Sequence, residues 1–156
     1  MEIERKFLLR SLPPGLEDAP AHLIVQGYLA LTPEGVEVRV RRKGDNHFLT
    51  VKHGGSLSRI EVELPLPAHE FDTLWPLTAG RRLRKLRRDL PGPDGLKIEV
   101  DLYEDALAGL QVAEVEFPDE EAAHRFRPPD FCGREITGDP AYRNETLTRV
   151  GLPKAP

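Results

Sequence analysis

The sequence predicts an α+β fold that is mainly β: an eight-stranded antiparallel closed β-barrel with a few flanking helices. Three observations lead there. Charged residues recur at i and i+2 along seven segments, which places them on one face of a strand. Val, Ile and Leu hold many of the alternate positions. The 156 residues include 15 Pro and 13 Gly, which cut the chain into short pieces of the kind hairpins connect. The length suits one domain with its own core, read here as 1–151, with 152–156 as a loose tail.

Strands are expected at 2–9, 22–31, 35–42, 46–53, 58–66, 81–90, 96–104 and 111–118, with a short ninth near 134–137. Turn chemistry separates them at Thr32-Pro33-Glu34-Gly35, Lys43-Gly44-Asp45-Asn46, His53-Gly54-Gly55 and Pro91-Gly92-Pro93-Asp94-Gly95. Helices are expected over 68–77, 119–126 and 140–150. The last has Asp139 as N-cap and Pro140 at its first helical position. Eight strands with hairpin-like connections fit an antiparallel barrel or a strongly curved sheet.

Charge narrows the function. Lys, Arg, Asp and Glu make up 31% of the chain, yet the net charge is only −4. A nucleic-acid binder is normally net basic. The basic run Arg81, Arg82, Arg84, Lys85, Arg87 and Arg88 has no interleaved aromatics, so nucleic acid is not expected as a partner. The charged start Met1-Glu2-Ile3-Glu4-Arg5-Lys6 and the lack of a long apolar run give no expectation of a secretory signal or a transmembrane helix. A single cysteine, Cys132, excludes an intramolecular disulfide and a Cys-based zinc cluster. The cytoplasm is the expected compartment. Oligomeric state is open, a homodimer included.

The rows of charge differ in sign from strand to strand. The first strand gives Glu2, Glu4 and Lys6; the third gives Arg39 and Arg41; the fourth gives Lys52. The fifth gives Arg59, Glu61 and Glu63, opposite Ile60, Val62 and Leu64. The sixth gives Lys85 and Arg87, the seventh Glu99 and Asp101, the eighth Glu114 and Glu116. Any one such strand reads as an ordinary amphipathic strand with its charges in water. Taken together, they would cover the surface with like-charged i, i+2 pairs, which repel. A closed barrel resolves this by turning the charges into the lumen and the apolar faces under the helices. Such a lumen is costly unless ions and ligands occupy it. Carboxylates suit hard divalent cations. Lys and Arg suit phosphate oxygens.

The residues that carry this pattern are also the residues of a known signature. Glu2-Ile3-Glu4-Arg5-Lys6 resembles the ExExK motif of the CYTH superfamily, the triphosphate tunnel metalloenzymes. Further blocks are similar to its small prokaryotic members: Gln26-Gly27-Tyr28-Leu29, Arg39-Val40-Arg41, Leu49-Thr50-Val51-Lys52, Arg59-Ile60-Glu61-Val62-Glu63, Lys85-Leu86-Arg87, Ala113-Glu114-Val115-Glu116-Phe117, Ile136-Thr137-Gly138-Asp139 and Tyr142-Arg143-Asn144. The resemblance spans nearly the whole chain. One departure is Ile98, where the acidic strand of Glu99 and Asp101 is usually preceded by Trp.

The resemblance implies an eight-stranded tunnel, a substrate ending in a triphosphate, and Mg²⁺ or Mn²⁺ as cofactor, with two ions during turnover. It implies Glu2, Glu4, Glu61, Glu63, Glu114 and Glu116 as metal-region carboxylates. It implies Lys6, Arg39, Arg41, Lys52, Arg59, Lys85 and Arg87 as triphosphate ligands. Lys6 and Tyr28 match a Lys–Tyr pair that acts at the terminal phosphate; for Tyr28, packing at a strand end is the competing reading. The expected reaction is hydrolysis of inorganic triphosphate to pyrophosphate and phosphate. Thiamine triphosphate or a nucleoside triphosphate as substrate stays open, as does non-catalytic binding of polyphosphate or nucleotide. Adenylyl cyclase activity is less expected, because no His-Phe pair precedes Glu2. Aromatic residues, at 6%, are scarce for recognising an organic head group.

Overall fold

In the computed structural model, described over residues 1–54 and 57–154, nine strands form one antiparallel sheet. They are β1 (Glu2–Leu9), β2 (Ala21–Leu31), β3 (Glu37–Lys43), β4 (Asn46–Gly54), β5 (Ser58–Pro65), β6 (Arg82–Pro91), β7 (Lys97–Tyr103), β8 (Gln111–Glu116) and β9 (Cys132–Glu135). The order β5-β4-β3-β2-β6-β7-β8-β1 closes into an eight-stranded barrel through β1 and β5. The closing ladder is short: Glu2 faces Arg59 and Ile3 faces Ser58. Farther along the same edge of β1, β9 takes over, with Phe7 opposite Glu135 and Leu9 opposite Cys132. The ninth strand therefore lies slightly earlier than 134–137. The turn at His53-Gly54-Gly55 and the tail at 152–156 each run partly outside the described residues.

Three helices, α1 (Ala68–Leu74), α2 (Glu120–Arg125) and α3 (Asn144–Val150), flank the barrel. The first is shorter than the pattern suggests. Pro76 lacks the N–H that an α-helix needs, and the chain tightens into a 3₁₀ turn over Trp75–Thr78. Trp75 stacks on Phe71 at 5.2 Å, half-buried at the helix end, under the Arg82 guanidinium. The expected single helix over 140–150 is in fact a 3₁₀ turn, Pro140–Tyr142, and then α3. Arg143 is extended between them (φ −64°, ψ 136°). Asp139 does act as a cap, but of the 3₁₀ turn, accepting from the Ala141 N–H at 3.0 Å. No described helix is long and apolar enough to cross a membrane.

Outward faces of β1, β7 and β8 form the main core. Phe7, Ile98, Val100, Val115 and Phe117 pack with Ala123 and Phe126 of the α2 region. Arg5, also outward, ties this side together. It donates to both carboxylate oxygens of Glu135, at 2.8 and 2.9 Å, and to the carbonyls of Ala123 and Phe126. The outer face of β5 has no such cover: Ile60, Val62 and Leu64 are 56, 51 and 52% exposed. The expectation that apolar faces pack under helices fails there, because α1 turns aside toward β4, where Phe71 meets His47 at 4.8 Å. At Gly27 a Cβ would lie 2.5 Å from Thr78, so only glycine lets that turn pack on β2.

Inside the barrel, each inward row changes character along its length. From the open end, β1 presents Glu2, Glu4, Lys6 and then Leu8. On β8 the order is Glu116, Glu114, Val112; on β7 it is Glu99, Asp101, Tyr103; on β6 it is Arg87, Lys85, Leu83. The register aligns these levels, with Lys6 opposite Glu114 and Leu8 opposite Val112. Leu83, Tyr103 and Val112 join Ile136 and Leu147 in a second apolar cluster, with Leu8 and Tyr142 against it. This cluster lies at the inner end of those rows.

Candidate active site

Above that cluster lies a cavity of about 400 Å³. Glu2, Glu4, Glu61, Glu63, Glu114 and Glu116 all line it, and so do Lys6, Arg39, Arg41, Lys52, Arg59 and Arg87. A narrower extension leads inward past Lys6, Tyr28, Glu37 and Arg39, walled by the segment from Ile136 to Asn144. The period-two alternation of the strands thus gathers the rows of charge into one space.

Many of these charges neutralise one another. Lys52 lies 3.3 Å from Glu2 and 3.7 Å from Glu61; Arg59 lies 2.8 Å from Glu4; Lys6 lies 3.4 Å from Glu114. Arg87 grips Asp101 with two bonds, Nε to Oδ1 at 2.7 Å and Nη2 to Oδ2 at 2.9 Å. It also reaches Glu99 and Glu114, each at 3.2 Å. Burial works against the charged form of Arg87, but Asp101 leads the attractions that outweigh it and hold its pKa well above the usual value. Burial would likewise lower the Lys6 ammonium, but Glu114 and Glu4 more than offset this and keep it charged.

Two guanidiniums have no such compensation. Among the described residues, neither Arg39 nor Arg41 has a carboxylate within ion-pair distance, although both are buried. Nε of Arg39 has no hydrogen-bond partner. Arg41 donates from Nε to the Gln26 carbonyl at 2.8 Å, and the Gln26 amide donates to the Tyr28 hydroxyl at 2.9 Å. Burial, with Arg39 and Arg87 nearby, pushes Arg41 down to about 10. One wall of the cavity therefore carries two buried guanidiniums with no ion-paired carboxylate among the described residues.

The open end is acidic instead. The Glu116 carboxyl is raised by burial and by the neighbouring charges of Glu2, Glu4 and Glu99. Glu2 is raised by burial and by a hydrogen bond shared with Glu61. A cavity with bare guanidiniums on one wall and crowded carboxylates at its mouth is built for an anion together with cations. The comparisons with known proteins agree. The chain is 42% identical over 146 residues to an inorganic triphosphatase of Nitrosomonas europaea, covering 94% of this chain and 95% of that protein. It is 36% identical to an inorganic triphosphatase of Acetivibrio thermocellus, over 95% of this chain and 93% of that one.

The chain belongs to the CYTH superfamily of triphosphate tunnel metalloenzymes.

The crystal structure of an inorganic triphosphatase superposes on this tunnel with a TM-score of 0.72, at 37% identity, covering 98% of this chain and 97% of that one. A structure from Pyrococcus horikoshii shares the fold at a TM-score of 0.59 and 19% identity, over 80% of this chain and 84% of that one. No family model matches the chain.

Six of the seven basic residues expected in the tunnel reach its cavity. Lys85 does not. It is fully buried one level lower, beside Tyr103, with Nζ 2.7 Å from Asp101. Burial pushes it down to about 8. Tyr28 is 1% exposed yet lines the narrow extension with Lys6, so packing and access to the cavity coexist. Burial raises its phenol pKa, against the pull of Arg39, and keeps the proton on. Among the lining residues not singled out from sequence as site residues are Glu37, Phe48 and Thr137. Glu37 continues the inward row of Arg39 and Arg41, a signal the spacing did contain. Phe48 lies at the wider part of the cavity. Thr137 accepts from the Lys6 N–H at 2.9 Å and donates to Glu135 at 2.7 Å, anchoring the strand that carries Lys6.

Family membership implies metal-dependent chemistry. Among the described residues, no three His, Cys, Asp or Glu side chains already converge as a ligand set. The carboxylates at the mouth are nonetheless hard oxygen donors, with Glu2 and Glu116 raised by burial and by their acidic neighbours, and that chemistry fits a hard divalent cation.

Proposed function

We propose that this protein hydrolyses inorganic triphosphate to pyrophosphate and phosphate, using Mg²⁺ or Mn²⁺, with two ions during turnover. The pair Arg39 and Arg41, buried without ion-paired carboxylates and facing an acidic mouth in one cavity, is the observation that carries the reading. The inorganic triphosphatase relatives support it.

In this reading Arg39 and Arg41 bind phosphate oxygens first, because they give up no existing ion pair to do so. Lys6, Lys52, Arg59 and Arg87 follow, each exchanging part of its hold on a lumen carboxylate for the substrate's oxygens. Glu2, Glu4, Glu61, Glu63, Glu114 and Glu116 would hold the divalent ions. Bound there, such ions would neutralise charge and lower the pKa of a bound water, so that hydroxide becomes available to attack phosphorus. Cleavage moves negative charge onto the bridging oxygen that leaves, so positioning and electrostatics dominate the barrier. Lys6 stays protonated beside Glu114 and Glu4 and stabilises that charge. Tyr28, its proton held by burial, donates to the terminal phosphate, with Gln26 and Arg41 orienting its hydroxyl.

Phosphate release from tripolyphosphate tests this directly. Release is expected with added Mg²⁺ or Mn²⁺, with one pyrophosphate formed per phosphate, and none is expected in chelator. Undiminished release after verified metal removal would overturn the metal role. No release with either metal would overturn the triphosphatase reading.

A further inference from the structure

Several polar groups line the inner end of the cavity, among them Glu37, Thr137 and Asn144. Asn144 opens α3 and lines both the wide cavity and its narrow extension. Its side-chain oxygen accepts a hydrogen bond from the Tyr103 hydroxyl. Tyr103 is 5% exposed and set in the apolar cluster with Leu83, Val112 and Leu147. Its phenol has no other acceptor among the described residues, so the amide oxygen must face the cluster. The NH₂ group is then left to the cavity, where no protein acceptor among the described residues takes it. The extended backbone at Arg143 turns the chain so that Asn144 reaches Tyr103 while Leu147 enters the cluster.

We propose that Asn144 binds substrate: its amide donates to an oxygen of the innermost phosphate, and Tyr103 is the positioning residue that aims it. This inference rests on the triphosphate reading above. A neutral double donor suits the floor of a cavity already rich in cations. It adds a hydrogen bond without adding charge beside Lys6 and Arg39.

Steady-state kinetics on tripolyphosphate, with melting temperatures for each variant, test the proposal. Asn144→Ala is expected to raise KM about tenfold while kcat changes by less than about twofold, as for a contact made equally in the ground and transition states. Asn144→Asp is the decisive variant. It keeps the acceptor for Tyr103, and so the fold, but sets a carboxylate against the phosphate. Its KM is expected to exceed that of Asn144→Ala. A purely structural role gives the reverse order, with Asp milder than Ala. Tyr103→Phe is expected to raise KM less than Asn144→Ala and to add nothing in the Asn144→Ala background. If Asn144→Ala does not fold, the Asp and Phe variants decide between the same alternatives against wild type. Unchanged KM in Asn144→Asp overturns the role of Asn144 alone. A wild-type protein that neither binds nor cleaves tripolyphosphate overturns the triphosphate reading, and this inference with it.

Discussion

Arg39 and Arg41 are the residues on which the ligand reading turns. A buried guanidinium without a carboxylate is expensive, and a protein keeps two side by side where an anion completes them. Truncating either to Ala is expected to weaken tripolyphosphate binding by about 1.5–3 kcal/mol, the size of a hydrogen bond to a charged group. The matched control is Arg149→Ala on α3, an exposed side chain paired with Glu145 at 3.1 Å. Isothermal titration reads both; strand-three variants that bind as tightly as the control would refute the assignment. At this scale the sequence is informative about direction but not about depth. The i, i+2 rows identify which side chains point inward. They cannot tell that Arg41 ends in the cavity while Lys85 ends below it. That depends on the stagger between strands, which sets Lys85 opposite Tyr103 and Arg87 opposite Asp101.

At the scale of the element, β6 and β7 are clamped by one carboxylate. Asp101 is fully buried and takes two bonds from Arg87 and one contact from Lys85. Burial alone would raise its pKa; Arg87 and Lys85 reverse this and lower it. A carboxyl depressed on folding contributes stability above its unfolded pKa of about 4, and that stability is lost as pH falls through the folded value. Asp101→Asn leaves the buried Lys85 and Arg87 without their shared carboxylate and is expected to cost about 3–5 kcal/mol at pH 7. Urea unfolding should show the gap to wild type narrowing as pH drops below about 4. Equal stability at pH 7 would mean that the clamp contributes nothing. Strand positions were legible because alternation and turn residues agree along nearly every segment. Helix ends were less so. The break at Arg143 follows from a long-range bond between Asn144 and Tyr103, a partner forty-one residues away that no local signal reveals. The bare outer face of β5 was hidden for a similar reason: alternation marks an apolar face but not whether a helix reaches it.

At the scale of the whole molecule, the barrel interior is graded along its axis. Carboxylates crowd the mouth, cations line the middle, and Leu8, Leu83, Tyr103 and Val112 cluster at the inner end. The same inward rows supply all three zones. The charged part of each row reads as function in the sequence, whereas its apolar end reads only as more strand. The gradient suits a short, highly charged chain. Among the described residues, Phe48 is the one aromatic side chain lining the wide cavity, which offers little for holding a base. Competition between tripolyphosphate and ATP with saturating Mg²⁺ tests that central claim most directly. A higher kcat/KM for tripolyphosphate is expected; a higher value for ATP, or formation of cyclic AMP, would contradict it.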